Sequence, residues 1–292
     1  MSRLDELIQE LCPAGVELRK IKEVYTRLKG TPITAGKMKE IDNPNGDIKV
    51  FAGGKTVIKA FEEDIPRANI IRVPAVLVQS RGVIDAVYYE EPFTFKNEMW
   101  AYTADEKTSV KYLYYVLKNN IQQFRVAASG MGSMPQISLK VTEEFIIPVP
   151  PLPVQSEIVR ILDNFTELTE ELTEELTARK QQYEYYRNRL LTFDIHGGGT
   201  SRVVQRTLGD IAKFVYGYTD KAKDTGDVRF IRITDINDDG CLDPSDAKYV
   251  DLTEESKKYL LKKGDLLLAR TGATYGKTLF FDSDEPAVYA SF

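Results

Sequence analysis

Three stretches carry residue types at spacings that chemistry could use, and each fails on its surroundings. Gly272-Ala273-Thr274-Tyr275-Gly276-Lys277-Thr278 comes near the glycine-rich loop that wraps nucleotide phosphates, but it is one residue short between its glycines. Leu279-Phe280-Phe281 then reads as a strand where such a loop must open a helix, so nucleotide binding is not expected there. Asp47-Ile48-Lys49 and Asp246-Ala247-Lys248 have the Asp-x-Lys form of some metal-dependent nucleases, yet so short a pattern arises freely and neither has a metal-binding carboxylate partner in sequence. His196, the single histidine, sits beside Gly197-Gly198-Gly199 and is read as incidental. Cys12 and Cys241 lie far apart with no CxxC spacing, which argues against a disulfide framework and a zinc site. No catalytic residue and no metal ligand is assigned.

A second kind of chemistry, hydrogen bonding to nucleic acid, has more candidates. Lys55 and Thr56 follow Gly53-Gly54, and Gln79, Ser80 and Arg81 end an apolar run at Gly82. These side chains suit base edges and phosphates. Ser129, Ser133 and Gln136 flank glycines that let backbone approach a phosphate. Further along, Arg232, Thr234, Arg270, Thr271, Thr274 and Lys277 stand at matching places. Singly, each is equally well ordinary loop polarity; recurrence at matched positions is what favours DNA contact.

The elements that must position these residues read as α+β. The stretch Met1 to Pro13 is a short amphipathic helix, Glu17 to Val24 opens the first domain, and Gly46 to Phe51 is a strand after the turn Asn43-Pro44-Asn45-Gly46. Pro74 to Gly82 is a buried strand; Val87-Tyr88-Tyr89 and Phe93-Thr94-Phe95 read as a hairpin across Glu90-Glu91-Pro92. Ser109 to Asn120 is a helix with an apolar stripe, followed by the loop Gly130 to Gln136 and the strand Phe145 to Val149. Strands and helices without regular βαβ alternation indicate α+β.

The plan then repeats. Gln205 to Ile211 matches Leu18 to Val24, and Gly226 to Ile231 matches Gly46 to Phe51. Leu266 to Gly272 matches Val76 to Gly82, and Asp284-Glu285-Pro286 matches Glu90-Glu91-Pro92. A period of about 190 residues is too long for a solenoid, so two homologous domains are expected. The second is expected to be incomplete, because Phe292 aligns near Glu98 and no counterpart of the Ser109–Asn120 helix or the last strand follows.

Between the copies, Val154 to Leu191 contains neither Gly nor Pro. Leu162, Leu176, Tyr183 and Leu190 share one heptad seam, and Ile158, Phe165, Leu172 and Tyr186 share the other. This predicts one long coiled-coil-forming helix of about 55 Å that pairs with a partner. Its first half is acidic (Glu167, Glu170, Glu171, Glu174, Glu175) and its last part basic (Arg179, Lys180, Arg187, Arg189), so an antiparallel copy matches acid to base in a homodimer. The domains expected are 1–153, the spacer helix 154–195 and the incomplete second domain 196–292.

Composition narrows the class without naming it. The 292 residues are 42% hydrophobic and 28% charged, ordinary for a soluble globular protein. No apolar run reaches a membrane span and the N-terminus is not a signal peptide, so a cytoplasmic protein with no membrane contact is expected. Net charge is −5, but residues 1–150 hold 20 Lys+Arg against 19 Asp+Glu, so a DNA surface must be a local patch.

Taken together, the loop ending in Pro135-Gln136-Ile137-Ser138, the proline run from Ile146 to Ile158 into the long helix, and the repeated Leu266–Gly272 block with Gly276-Lys277 resemble the DNA-specificity subunits of type I restriction-modification enzymes. The resemblance covers essentially the whole chain, and the proline run is its most specific part. It implies two target-recognition domains, each reading half of a split site in double-stranded DNA, held apart by paired helices that dock DNA methyltransferase subunits. It further implies that S-adenosylmethionine, ATP and magnesium belong to the methyltransferase and to an ATP-dependent restriction subunit, with no cofactor in this chain. A metal-dependent nuclease built on the Asp-x-Lys elements, or a scaffold whose helix joins two inert domains, are the competing expectations.

Overall fold

The computed structural model describes residues 2–128, 135–192, 206–237, 239–270 and 274–291. They divide into two units, Met1–Leu191 and Thr192–Phe292. Among the described residues no helix is long and apolar enough to cross a membrane.

The first unit opens with α1 (Arg3–Leu11), whose N-terminus is closed by a reciprocal box between Ser2 and Asp5. β1 (Leu18–Lys20), α2 (Ile21–Val24), β2 (Thr26–Leu28) and α3 (Ala35–Ile41) follow. The strands β3 (Ile48–Phe51), β4 (Val57–Ala60), β5 (Ala75–Gln79), β6 (Asp85–Tyr89), β7 (Phe93–Phe95) and β8 (Trp100–Thr103) come next. The unit closes with α4 (Lys107–Asn119), α5 (Ile121–Ala127), α6 (Leu139–Glu143), β9 (Ile146–Pro148) and α7 (Leu152–Leu191).

Two sheets stack face to face. One has the order β2-β8-β5-β6 and the other β4-β3-β7, while β1 pairs separately with β9. Phe51, Phe93 and Phe95 pack against Leu77 and Ala101 between the sheets. Helix α3 covers the outer face of the smaller sheet through Met38 and Ile41. Val110, Leu113 and Leu117 of α4 and Phe124 of α5 cover the larger sheet through Val76, Val78, Trp100 and Tyr102. Strand β5 is covered on both faces, which is why all five of its residues are buried and its sequence does not alternate.

The expected hairpin is corrected by this arrangement. Val87-Tyr88-Tyr89 lies in β6, antiparallel to β5, whereas Phe93-Thr94-Phe95 is β7, parallel to β3 in the other sheet. The Glu90-Glu91-Pro92 turn carries the chain between layers, so two neighbouring apolar triplets face a common core without pairing.

A single hydroxyl fastens the larger sheet to the segment after residue 134. Thr142 Oγ1 accepts from Trp100 Nε1 at 2.9 Å and Tyr102 Oη at 2.8 Å and donates to Leu139 O at 3.1 Å. Thr142→Val is expected to cost about 2–4 kcal/mol in chemical denaturation, because two buried donors lose their acceptor; Thr142→Ser, which keeps the hydroxyl, should cost about 1 kcal/mol. Equal losses for both would show that the methyl group, not the hydroxyl, is what matters.

Helix α7 starts on this body and leaves it. Pro151 O accepts from Val154 N, Gln155 Nε2 donates to Pro150 O at 2.8 Å, and Val154, Gln155, Glu157 and Val159 are buried. Asp163 ties the helix to α4, taking Tyr115 Oη at 2.5 Å and Lys111 Nζ at 2.8 Å. Ile158 and Leu162 are half-buried at this root; every residue from Asn164 to Leu191 is exposed. The free part runs about 42 Å.

The second unit contains α8 (Leu208–Ile211), β10 (Val228–Ile231), β11 (Tyr249–Val250), β12 (Leu266–Leu268), β13 (Thr278–Phe280) and β14 (Ala287–Tyr289). Its sheet order β11-β10-β14 repeats β4-β3-β7, with the same antiparallel and parallel pairings. Even a steric detail recurs: a Cβ on Gly30 would stand 2.1 Å from Phe95 O, and one on Gly217 would stand 2.2 Å from Ala290 O. The β12–β13 pair has two strands where the first unit has four, and Leu266, Leu268 and Phe280 are exposed.

Candidate nucleic-acid interface

Three loops from distant parts of the sequence meet at one end of the first unit. The turn Gly53–Lys55 joins β3 to β4, with both Gly54 (φ 71°) and Lys55 (φ 69°) in the left-handed region. Gly54 N donates to Arg81 O at 3.2 Å, Gly82 N donates to Pro135 O at 2.9 Å, and Ile137 N donates to Ser80 O at 3.0 Å. Arg81 and Gln136 form an isolated β-bridge. Gly82 is also left-handed (φ 79°), and a Cβ there would lie 3.2 Å from Gly54 Cα, so the two glycines allow the loops to touch.

This scaffold sorts the candidates by burial. Lys55, Thr56, Arg81 and Gln136 are exposed, and no hydrogen bond or ion pair within the described residues occupies their side chains. Gln79 is 4% exposed and Ser80 1%, with Ser80 Oγ donating to Glu98 O at 2.6 Å. Expected to contact DNA, these two instead lie inside the frame, where the Ser80 hydroxyl ties the loop to Glu98. Glu98 is in turn paired with Lys96 at 3.1 Å, so the cluster's uncompensated charges are Lys55 and Arg81. Sequence alone does not single out Lys96 or Glu98, because their role depends on β7 lying beside β3.

Lys55 is a strained residue at an exposed site. A side chain in the left-handed region costs about 1–2 kcal/mol, which Gly54 next to it avoids. Lys55→Gly is expected to leave the thermal melt unchanged or higher by the equivalent of up to about 1 kcal/mol, while weakening binding to every duplex. A variant that melts lower and binds normally would make the residue structural.

In the second unit the matched positions behave differently. Arg232 is clamped, with Nη2 2.5 Å from Asp235 Oδ1 and 3.1 Å from Asp246 Oδ2, and its guanidinium is held above its ordinary pKa first by the Asp235 hydrogen bond. Asp235 is buried, so this arginine braces the turn Ile233–Asp235 and is not available as a free phosphate donor. Thr234 is exposed beside it. Arg270 stacks on Tyr216 at 4.6 Å, and Thr274 is exposed in the loop whose ends are tied by Ala269 N to Lys277 O at 2.8 Å. Ser129, Ser133, Thr271 and His196 lie outside the described residues.

The enzyme-like patterns find no support. Lys277 leads into β13, antiparallel to β12, with no helix to receive a nucleotide phosphate. Lys49 lies over the Tyr89 ring, and Asp246 is engaged by Lys248 and Arg232. No group of three metal-ligating side chains occurs among the described residues.

Comparison with known proteins agrees with the internal repeat. The family description "Type I restriction modification DNA specificity domain" matches residues 13–179 and again 201–291. A type I restriction enzyme specificity subunit of Escherichia coli is 44% identical over 120 residues, 39% of this chain and 28% of that protein. A putative specificity subunit of Haemophilus influenzae is 34% identical over 208 residues, 66% of this chain and 50% of that protein. The chain thus spans half or less of the length of these relatives. The crystal structure of a type I restriction-modification S subunit from M. genitalium superposes with a TM-score of 0.59 at 18% identity, covering 94% of this chain and 70% of that one, which shows a shared fold. With both copies matched and the fold shared, the chain belongs to the family of type I restriction-modification DNA specificity subunits.

Proposed function

We propose that the chain is a non-catalytic DNA-recognition subunit that reads half of a bipartite duplex site with the loop cluster of its first unit. The observation that carries this reading is the convergence of Lys55, Arg81 and Gln136 from three separate loops, held by buried backbone and side-chain hydrogen bonds with their own polar atoms turned outward. Arg81 and Gln136 suit base edges, and Lys55 suits phosphate. The partners it would direct are a DNA methyltransferase and an ATP-dependent restriction subunit, to which S-adenosylmethionine, ATP and magnesium belong.

The exposed seam of α7 supports a twofold partner. Phe165, Leu172, Leu176, Tyr183, Tyr186 and Leu190 are 49–70% exposed, and Leu168, outside the expected series, is 50% exposed beside them. Seven such side chains on one free helix are an association surface. The acid-to-base gradient selects an antiparallel second copy, which places two first units at opposite ends of a paired rod.

Selection of duplexes from a random library by the purified chain, alone and with its methyltransferase subunit, tests the proposal. An inverted repeat with a fixed gap is expected from the chain alone. Failure to enrich any sequence under both conditions would reject the recognition role; enrichment only with the methyltransferase would keep that role and reject the homodimer.

A further inference from the structure

The outer strand of the smaller sheet carries a charge arrangement that the loop cluster does not explain. β4 is an edge strand, and its register with β3 sets Lys59 directly opposite Lys49. Like charges directly opposed across an antiparallel pair are destabilising. Neither ammonium is relieved by an ion pair among the described residues: Lys59 is exposed, and Lys49 lies 4.6 Å from the centre of the Tyr89 ring. Asp47, two residues before Lys49, forms no ion pair with either lysine, and Glu91 instead accepts from Tyr89 Oη at 2.8 Å, the neutral hydroxyl that Lys49 also faces. Sequence alone does not mark Lys59, since its opposition to Lys49 exists only in this register.

The position of the pair says what the missing counter-charge is. Lys59 follows Lys55 by four residues, so at most about 13 Å of chain separates the pair from the loop cluster, well inside one turn of duplex. Val57, on the same face of the strand, is 44% exposed and leaves the path between them open. Beyond Ala60 the chain turns acidic at Glu62, Glu63 and Asp64, which bounds the path on the far side.

We infer that Lys49 and Lys59 together hold one backbone phosphate of the bound duplex, so that β4 is a rail along which DNA passes from the base-reading loops. This rests on the DNA-recognition reading above and adds a contact that carries no sequence information. Such a contact acts on affinity and salt dependence alone, whereas Arg81 and Gln136 act on selectivity.

The test uses the full chain, binding of its selected duplex followed by fluorescence anisotropy across a salt series, and thermal melting without DNA. The double variant K49Q/K59Q is expected to lower the slope of log affinity against log salt by about 0.9, the value for one phosphate, with the selected sequence unchanged. Lys59→Glu is expected to melt at or above the unaltered chain, since it relieves the opposed charges, and to bind every duplex more weakly. An unchanged slope in the double variant, a slope lowered by about 1.8 as for two separate phosphates, or a lower melt for Lys59→Glu would each overturn the shared site. Those outcomes leave the recognition reading intact if Arg81→Ala still relaxes selectivity. If the unaltered chain binds no duplex, either alone or with its methyltransferase subunit, the recognition reading falls and the rail falls with it.

Discussion

Gly30→Ala is expected to destabilise the first unit by upwards of about 4 kcal/mol, read as a drop in the urea midpoint without a change in slope. The added Cβ would stand 2.1 Å from Phe95 O and 2.6 Å from Phe95 Cδ2. The carbonyl cannot withdraw, because it accepts from Thr31 N at 2.7 Å and belongs to β7, locked in parallel register on β3. Relief requires moving the strand that brings Lys96 and Glu98 to the Lys55 and Arg81 loops, so, if those loops read bases as proposed, DNA selectivity should fall with stability. Gly217→Ala is expected to injure the second unit in the same way, through Ala290 O, while leaving the first unit's unfolding transition in place. A stable, selective Gly30→Ala chain would mean that β7 is not held where it is described.

Replacing Leu172 and Leu176 together by Glu should leave both units folded, yet lower affinity for a two-half-site duplex by about 10²–10⁴, the range by which linked sites exceed single ones. Both leucines lie in the free part of α7, 57% and 55% exposed, so no intrachain packing is lost. The change adds negative charge to the segment already bearing Glu170, Glu171, Glu174 and Glu175 and removes the apolar contact that an antiparallel copy would bury. Light scattering should report a monomer, and affinity for a single half-site should be unaltered. A double variant that remains a dimer and keeps its full affinity would place the association surface elsewhere.

What could be read in the sequence divides along a physical line. The long helix was legible because a heptad repeat is local: Leu162, Phe165, Leu172 and Leu176 declare a seam without any knowledge of the rest. The internal repeat was legible for the same reason, and it extends to the parallel pairing of β10 with β14. Gln79 was misjudged because burial on both faces of β5 depends on a second sheet and a helix that its own neighbours do not mention. The hairpin at Glu90-Glu91-Pro92 was misjudged because a turn between layers has the same residues as a turn within one. Arg232 resembles its counterparts by position, but a buried carboxylate three residues on, Asp235, takes it out of use. The opposition of Lys49 and Lys59 needs the register itself, which no single strand contains.

The free length of α7 has a consequence for how a recognised site could change over time. If α7 pairs with a second copy as proposed, a whole-heptad insertion keeps its seam in contact and adds about 10 Å, or about three base pairs of duplex. Three base pairs also turn the second half-site by nearly a third of a circle around the duplex, since one turn takes about 10.5 base pairs. Such an insertion would therefore change both the gap and the facing of the two half-sites, and a straight rod could follow that turn only if the DNA twisted or bent with it.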